Sequence, residues 1–499
     1  MSGIKKLAGQ TLWYGASSIA ARFINYLLTP YLTYALSGPA YGEMSLVYAA
    51  IPFLNVLFTY GLETAYFRYS RNKEQEAEVY NTAMVSIIVS TALLTGVLLL
   101  FNDELATLIG VSDHPEYFTW SAFIIALDTL TTLAFAKLRY EGRPVKFATV
   151  RIAGILVNIG LTFFFLSLCP RLARENPNSF IGTFYNPAIG VGYVIIANLV
   201  QSIFTFLFLS RELLAFRWRF NARLWREIMV YSAPLLLAGF GGMINETLDR
   251  LMLNWWSPAA TAEAAKNEVG TYSACYKLAI LISLSIQAFR MGAEPFFFSA
   301  AQGQDPQRVY ARVMKFFVIT ICFMFLGVAL FLDVWKHFIQ KEAFWKGLGV
   351  VPILLLANMF LGIYYNLSIW YKLSNRTMAG AWITIIGAAI TLVINYIFIP
   401  YYSYYACAWA TFFCYGSMMV ISYLQGQKHY PVPYAWKKLV AYIIICVGLY
   451  GLYLLFSRLE LGDWANRGFA LAMLLLFSLL IVNVERKELR KMPFVGRFF

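Results

Sequence analysis

Arg22 is the residue around which the chemistry of this chain can be organised. It lies inside TLWYGASSIAARFINYLLTPYLTYAL, Thr11–Leu36, a stretch long enough to cross a bilayer, for which about 20 helical residues suffice. A guanidinium at bilayer depth costs upwards of about 3 kcal/mol unless it meets water or an anion. Its neighbours Ser17, Ser18, Asn25, Tyr26 and Thr29 are polar or small, and Pro30 predicts a kink because it lacks an N–H and crowds the preceding turn. The stretch therefore reads as the wall of a wet cavity that holds a positive charge. Four further basic residues fall within apolar segments: Arg151, Arg250, Lys277 and Arg290. Arg151 is close enough to a segment start to snorkel to the interface. Acids share these segments, at Glu63, Asp128, Glu246, Asp249 and Glu294. Glu246 and Arg250 are four apart, as are Arg290 and Glu294, so each pair shares a helix face and can neutralise itself. Arg22 and Lys277 have no carboxylate three or four residues away. They are the leading candidates for contacting an anionic substrate, with Arg290 and Arg250 beside them. Arginine suits a diphosphate through its planar donor fork, whereas lysine acts as a point charge.

The carboxylates suggest coupling. An acid held in low dielectric takes up a proton more readily than one in water, which makes Glu63, Glu294, Asp249 and Glu246 candidates for coupling or gating. Glu63 and Glu294 both lie toward the expected cytoplasmic ends of their helices, where they could equally cap basic residues of the loops.

The elements that must position these residues follow from composition. The chain has 499 residues, 60% hydrophobic and only 13% charged, with mean hydropathy +0.61. This excludes an ordinary soluble domain. Seventeen per cent aromatic residues suits two interfacial belts. The net charge of +14 points to the positive-inside rule rather than to nucleic acid. The six cysteines form no C-x-x-C and the three histidines are far apart, so neither a disulfide framework nor a metal site is expected, and no cofactor. The N-terminal segment is too long and too polar for a cleaved leader and is expected to be retained.

Fourteen apolar segments follow one another, at 11–36, 44–67, 80–101, 117–136, 147–168, 188–210, 228–255, 270–298, 313–334, 347–371, 378–399, 403–425, 438–457 and 464–484. An all-α integral membrane protein of about 14 transmembrane helices is predicted. Of the 40 basic residues, 27 fall in one alternate set of loops, including Lys5, Lys6, Arg71, Lys73 and the tail to Arg497, and eight in the other. Both termini are therefore expected in the cytoplasm. Three of the eight, Lys336, Lys341 and Lys346, share one loop, and its segment DVWKHFIQKEAFW, which ends just before Lys346, is expected to lie in the interface with the lysines snorkelling.

The chain also repeats itself. Arg22 precedes Gly42 as Arg250 precedes Gly270; G-L-E-T-A-Y-F at Gly61–Phe67 is echoed by G-A-E-P-F-F-F at Gly292–Phe298; Tyr80, Met84, Phe101, Asp103 and Ile109 recur as Tyr310, Met314, Phe331, Asp333 and Ile339. The order of the matches predicts two pseudo-symmetric six-helix lobes in parallel repeat about an axis along the membrane normal. The N-lobe would cover 1–210, a basic cytoplasmic linker 211–226, the C-lobe 227–427, and two final helices with a basic tail 428–499. Substrate would bind between the lobes.

Fourteen helices, two six-helix lobes, an arginine in the first helix and basic residues in the seventh and eighth resemble the MOP exporter superfamily, within it polysaccharide flippases of the Wzx type, related to the lipid II flippase MurJ. The resemblance covers the whole chain and rests on architecture and charge placement. It implies alternating-access export of undecaprenyl-diphosphate-linked oligosaccharides for O-antigen, capsule or exopolysaccharide synthesis. The setting would be the bacterial cytoplasmic (inner) membrane, with membrane lipids and polysaccharide polymerase machinery as partners, and no nucleic acid. It implies a cationic cavity with Arg22, Arg250, Lys277 and Arg290 at matching places, and a groove for the lipid tail at the last two helices. One departure is that Glu63, Glu246, Asp249 and Glu294 could bring the cavity's charge near zero.

Three other readings compete. A MurJ-like lipid II flippase shares the same head chemistry. A MATE-type cation-coupled drug antiporter needs carboxylates and would be opposed by Arg22 and Lys277. A membrane glycosyltransferase or ligase needs an acidic site at an outer loop, and the longest such loop, Cys169 to Pro187, has only Glu175; the chain is not expected to be an enzyme.

Overall fold

The computed structural model describes residues 2–70, 75–301, 304–374 and 376–490. Arg71, Lys73 and Arg497 lie outside the described residues, as do the side chains of Lys5, Lys6 and Glu294. The described chain is helical throughout, and twelve of its helices are long and apolar enough to cross a membrane. The two other expected segments fall on Ser2–Tyr26, continued by Thr29–Ala35, and on Gly192–Phe208, which has 17 residues.

The helices that matter for the site are α1 (Ser2–Tyr26), α2 (Thr29–Ala35), α3 (Gly38–Thr59), α4 (Leu62–Tyr69), α5 (Glu76–Leu100), α6 (Pro115–Tyr140), α7 (Pro144–Phe163), α8 (Gly192–Phe208), α9 (Ala222–Trp256), α10 (Ala262–Ala300), α11 (Pro306–Ala329), α12 (Val351–Leu367), α13 (Thr377–Tyr402), α14 (Tyr404–His429), α15 (Trp436–Ser457) and α16 (Asp463–Leu489). The kink expected at Pro30 appears as the break between α1 and α2, with the proline in the first turn of α2, where a missing N–H costs nothing. The break between α3 and α4 passes through Tyr60 and Gly61, both left-handed at φ 31° and 76°. Glycine takes that conformation without steric cost, and the turn redirects the chain so that Glu63 faces α6.

Within α1–α8, α8 packs on α6 and α7, α1 on α7, and α5 on α6. Within α9–α14, α9 packs on α13, α10 on α12, and α14 on both α12 and α13. The two groups meet where α3 lies against α9 and α10, and where α1 lies against α10. The helices α15 and α16 dock on α11. Their anchor is the buried Glu485 carboxylate of α16, which accepts from Lys315 of α11 at 2.8 Å, Lys438 of α15 at 2.6 Å and the Tyr442 hydroxyl at 2.5 Å. Arg312–Glu488 at 3.2 Å reinforces it, and Arg467–Asp333 at 2.7 Å closes the opposite end.

A second polar anchor joins the loop after α8 to the start of α7. Glu212, with its side chain 2% exposed, accepts from Arg143 at 2.8 Å and Lys146 at 2.6 Å. Burial raises its carboxyl's pKa, but Lys146 and Arg143 outweigh that, and the net shift is downward from the usual 4.5. A depressed acid contributes stability that is fully present above its unfolded value and is lost as pH falls through the folded value. Thermal melts of the detergent-solubilised protein should therefore lose midpoint below about pH 4.5, and Glu212→Gln should remove that pH-dependent component while costing roughly 3 kcal/mol at neutral pH. A variant that melts like the parent at every pH would show that the cluster adds nothing.

The segment around Lys336–Lys346 departs from expectation. Lys341 does not snorkel; it reaches inward and donates to the Leu36 carbonyl at 2.7 Å. Lys336 stacks over Trp345 at 4.6 Å. The cause is the end of α2, whose last carbonyls have no intrahelical donor. All six cysteines are buried.

Candidate functional site: cationic groups between the helix groups

Arg22 leaves α1 exposed and donates from Nη1 to the Oε1 of Gln287 on α10. This bond joins the two helix groups, and its acceptor is a neutral amide. The helix carrying Arg22 begins at Ser2, well before the expected start at residue 11. Arg22 therefore sits roughly 30 Å along it at 1.5 Å per residue, further from the helix start than a start at residue 11 would give. Lys277 is likewise further along its helix: α10 begins at Ala262, placing Lys277 roughly 22 Å from that end. Among the described residues, Lys277 makes no hydrogen bond or ion pair; the charge it feels is that of Arg250.

Arg250 of α9 donates to the Glu246 carbonyl at 2.9 Å and to the Asp249 Oδ1 at 3.1 Å, and lies 4.7 Å from the centre of the Tyr276 ring. The pairing of Arg250 with the Glu246 carboxylate, which their spacing allows, is not formed. Asp249 is the better acceptor because it is buried and already fixed by the Tyr272 hydroxyl at 2.6 Å. The side chain of Glu246 stays exposed. Arg290 lies 4.7 Å from the Tyr365 ring centre and lines a small cavity with Lys372, Asn366 and Phe289. Whether it pairs with Glu294 falls outside the described side chains.

Glu63 is committed elsewhere, to an ion pair with Arg139 of α6, whose guanidinium also lies 4.9 Å from the Phe67 ring centre. It is thus bound within its own helix group and does not offset Arg22. Arg151, read from the sequence as a snorkelling residue, is held between the rings of Phe135 and Phe147 at 5.0 Å each and lies in the fields of Arg22 and Asp128. Asp128 accepts from Ser202 of α8 at 2.8 Å. With Glu63 and Asp249 taken up by Arg139 and Arg250, Arg22, Arg151 and Lys277 form no ion pair among the described residues.

On α10 the cations and their partners form a ladder. Gln287, which holds Arg22, lies ten residues after Lys277, and Lys277 lies eleven after Lys266. A step of eleven is close to three turns, so Lys266 and Lys277 share one face of the helix, while Gln287 lies about 80° around the helix from Lys277, on the adjacent face. The ladder ends where α3 and α10 touch. Lys266, 9% exposed, binds Glu43 of α3 at 2.8 Å and Asp113 at 3.3 Å. There the backbones meet at glycines: a Cβ on Gly42 would collide with the Lys266 carbonyl, and one on Gly270 with the Gly38 carbonyl. Gly270→Val should therefore disfavour this closed contact by ~1–3 kcal/mol. The readout is labelling by a membrane-impermeant maleimide of a cysteine placed at Ser273, a buried position one turn further along the same face. Labelling equal to that of the Gly270 parent would mean the contact is not a barrier.

Long apolar helices carrying unpaired cations at depth, and a closed end opposite an exposed arginine, define a membrane transporter fold. The comparisons agree. The lipid II flippase MurJ in an inward closed conformation superimposes with TM-score 0.68 at 12% identity, over 95% of this chain and 99% of that one. A multidrug resistance MATE transporter of the MOP superfamily in an outward-facing conformation gives 0.60 at 13% identity, over 86% and 98%. The Vibrio cholerae MATE transporter VcmN in its bent form gives 0.53 at 12%, over 86% and 98%. No curated protein matches the chain. Residues 7–300 match the polysaccharide biosynthesis protein family, and the chain belongs to that family.

Proposed function

We propose that this protein is a flippase that moves undecaprenyl-diphosphate-linked oligosaccharide repeat units across the bacterial cytoplasmic membrane by alternating access, for surface polysaccharide assembly. The observation that carries this reading is Arg22: an arginine deep in a helix, exposed, and held by a neutral amide rather than a carboxylate. Such a residue remains available to an anion, and its fork suits a diphosphate. Family membership and the MurJ-like fold support the same conclusion.

The ladder on α10 gives the reading a path. A diphosphate head enters near Arg290, meets Arg22 at Gln287, and passes to Lys277 roughly 15 Å further along α10. Arg250 adds positive potential beside Lys277. Residues 1–210 and 227–427 act as two lobes joined by the basic cytoplasmic linker 211–226, while residues 428–499 supply two outer helices beside which the lipid tail runs. Both termini are cytoplasmic. Glu246 is a gating acid this arrangement leaves open, since its carboxylate forms no ion pair among the described residues, and Glu294, whose side chain lies outside them, is the other candidate. Polymerases that use the exported unit are the expected partners.

Reconstituted vesicles test the reading. Protein-dependent appearance of an undecaprenyl-diphosphate oligosaccharide on the far leaflet is expected, with a cationic dye left untransported. Movement of the dye and not of the glycolipid would establish an antiporter instead, and transport of lipid II alone would move the assignment to a lipid II flippase.

A further inference from the structure

Lys266 has no role in the path so far. It shares a face of α10 with Lys277, three turns nearer the helix start, yet it is buried against two carboxylates. We propose that Lys266 is the exit-side contact for an anionic diphosphate head, and that Glu43 and Asp113 are built-in competitors that displace the head from Lys266 as the outer face closes. This inference deepens the flippase reading and rests on it.

The geometry separates masked and available states of one ammonium. In the closed contact, Glu43 comes from α3 and Asp113 from the loop before α6, whereas Lys266 belongs to α10. Glycine-to-backbone contact at Gly42 and Gly270 brings α3 and α10 together. If α3 withdraws, both carboxylates leave with their own helix group and Lys266 remains at the top of the ladder. An anion that binds Lys266 in that state binds only the open form, and so favours it. Closure runs the other way. The closed cluster carries one positive and two negative charges, a net −1, so its field opposes an anion at the site it seals. The returning carboxylates take two of the ammonium's donors and repel the diphosphate. Lysine fits this exchange better than arginine, because a compact ammonium turns from one acceptor to another without reorienting a planar fork. The closed end thereby discharges its cargo outward and blocks its return.

Full-length protein in lipid nanodiscs, with inorganic diphosphate as the probe and Ser273→Cys labelling as the gauge of opening, tests the proposal. Glu43→Gln combined with Asp113→Asn should raise labelling without ligand and tighten diphosphate binding by about 5-fold or more, the usual lower range of a coupling between two states. Adding Lys266→Met to that pair should keep the labelling high and abolish the tightening. Lys266→Arg should keep the closed contact but slow release of diphosphate. If the carboxylate variants open the outer face while diphosphate affinity stays at the wild-type value, the cluster is a latch with no substrate role and the proposal fails. If no variant binds diphosphate, the flippase reading itself falls; the labelling, which needs no ligand, still reports the latch.

Discussion

Arg22→Ala should abolish export while leaving the protein folded in the membrane. The side chain is exposed and its hydrogen-bond partner among the described residues is the neutral Gln287, so its removal strands no buried charge and stability should change by less than about 1 kcal/mol. Function should respond differently. A lipid-linked diphosphate brings at least two negative charges out of water, and Arg22 offers a donor fork at depth without a carboxylate to displace. Arg22→Lys should retain part of the activity, since the charge survives and the bidentate geometry does not. Gln287→Ala should fall between the two, because it leaves the guanidinium in place but frees its orientation. Complementation of a flippase-deficient strain, with surface expression measured alongside, orders the three variants. Full export by a well-expressed Arg22→Ala would make the arginine structural, and the diphosphate assignment would go with it.

The second large effect is expected on stability. Glu485 is the common acceptor of Lys315, Lys438 and the Tyr442 hydroxyl, with its side chain 2% exposed. Glu485→Ala leaves two ammonium groups facing each other at the junction of α11, α15 and α16. Breaking a buried pair by removing one partner costs roughly 3–5 kcal/mol, because the remaining charge is uncompensated. The docking of the last two helices should loosen selectively. Limited proteolysis should cut first near residues 430–435, between α14 and α15, and the thermal midpoint should drop. Glu485→Gln should be milder, since the amide still accepts from Tyr442. An unchanged cleavage pattern in Glu485→Ala would show that apolar packing alone holds α15 and α16.

Several features were legible because they depend on neighbours along the chain. Hydropathy runs located the membrane helices, Pro30 located the break after α1, and the absence of nearby acids singled out Arg22 and Lys277. Helix ends were less legible: α1 begins at Ser2 and α10 at Ala262, because helices continue past the apolar core into the interface, where composition changes but backbone hydrogen bonding does not. Partner choice was the least legible. Spacing of four pointed to Glu246 for Arg250, yet the buried, preoriented Asp249 next to it won.

The sequence by itself determined a polytopic helical membrane protein, the helices that carry its charges, and the two cations that no local acid could neutralise. These follow from periodicity, segment length and the cost of burying charge, all of which act through short separations in the chain. Only the tertiary structure decided that Glu63 answers Arg139 and not Arg22, that Gln287 holds Arg22 across 265 residues, and that Lys266 is clasped by Glu43 and Asp113 where Gly42 and Gly270 let two helices touch. Such pairings depend on which helix faces which neighbour. That is set by how whole faces pack, and no spacing along one helix encodes it.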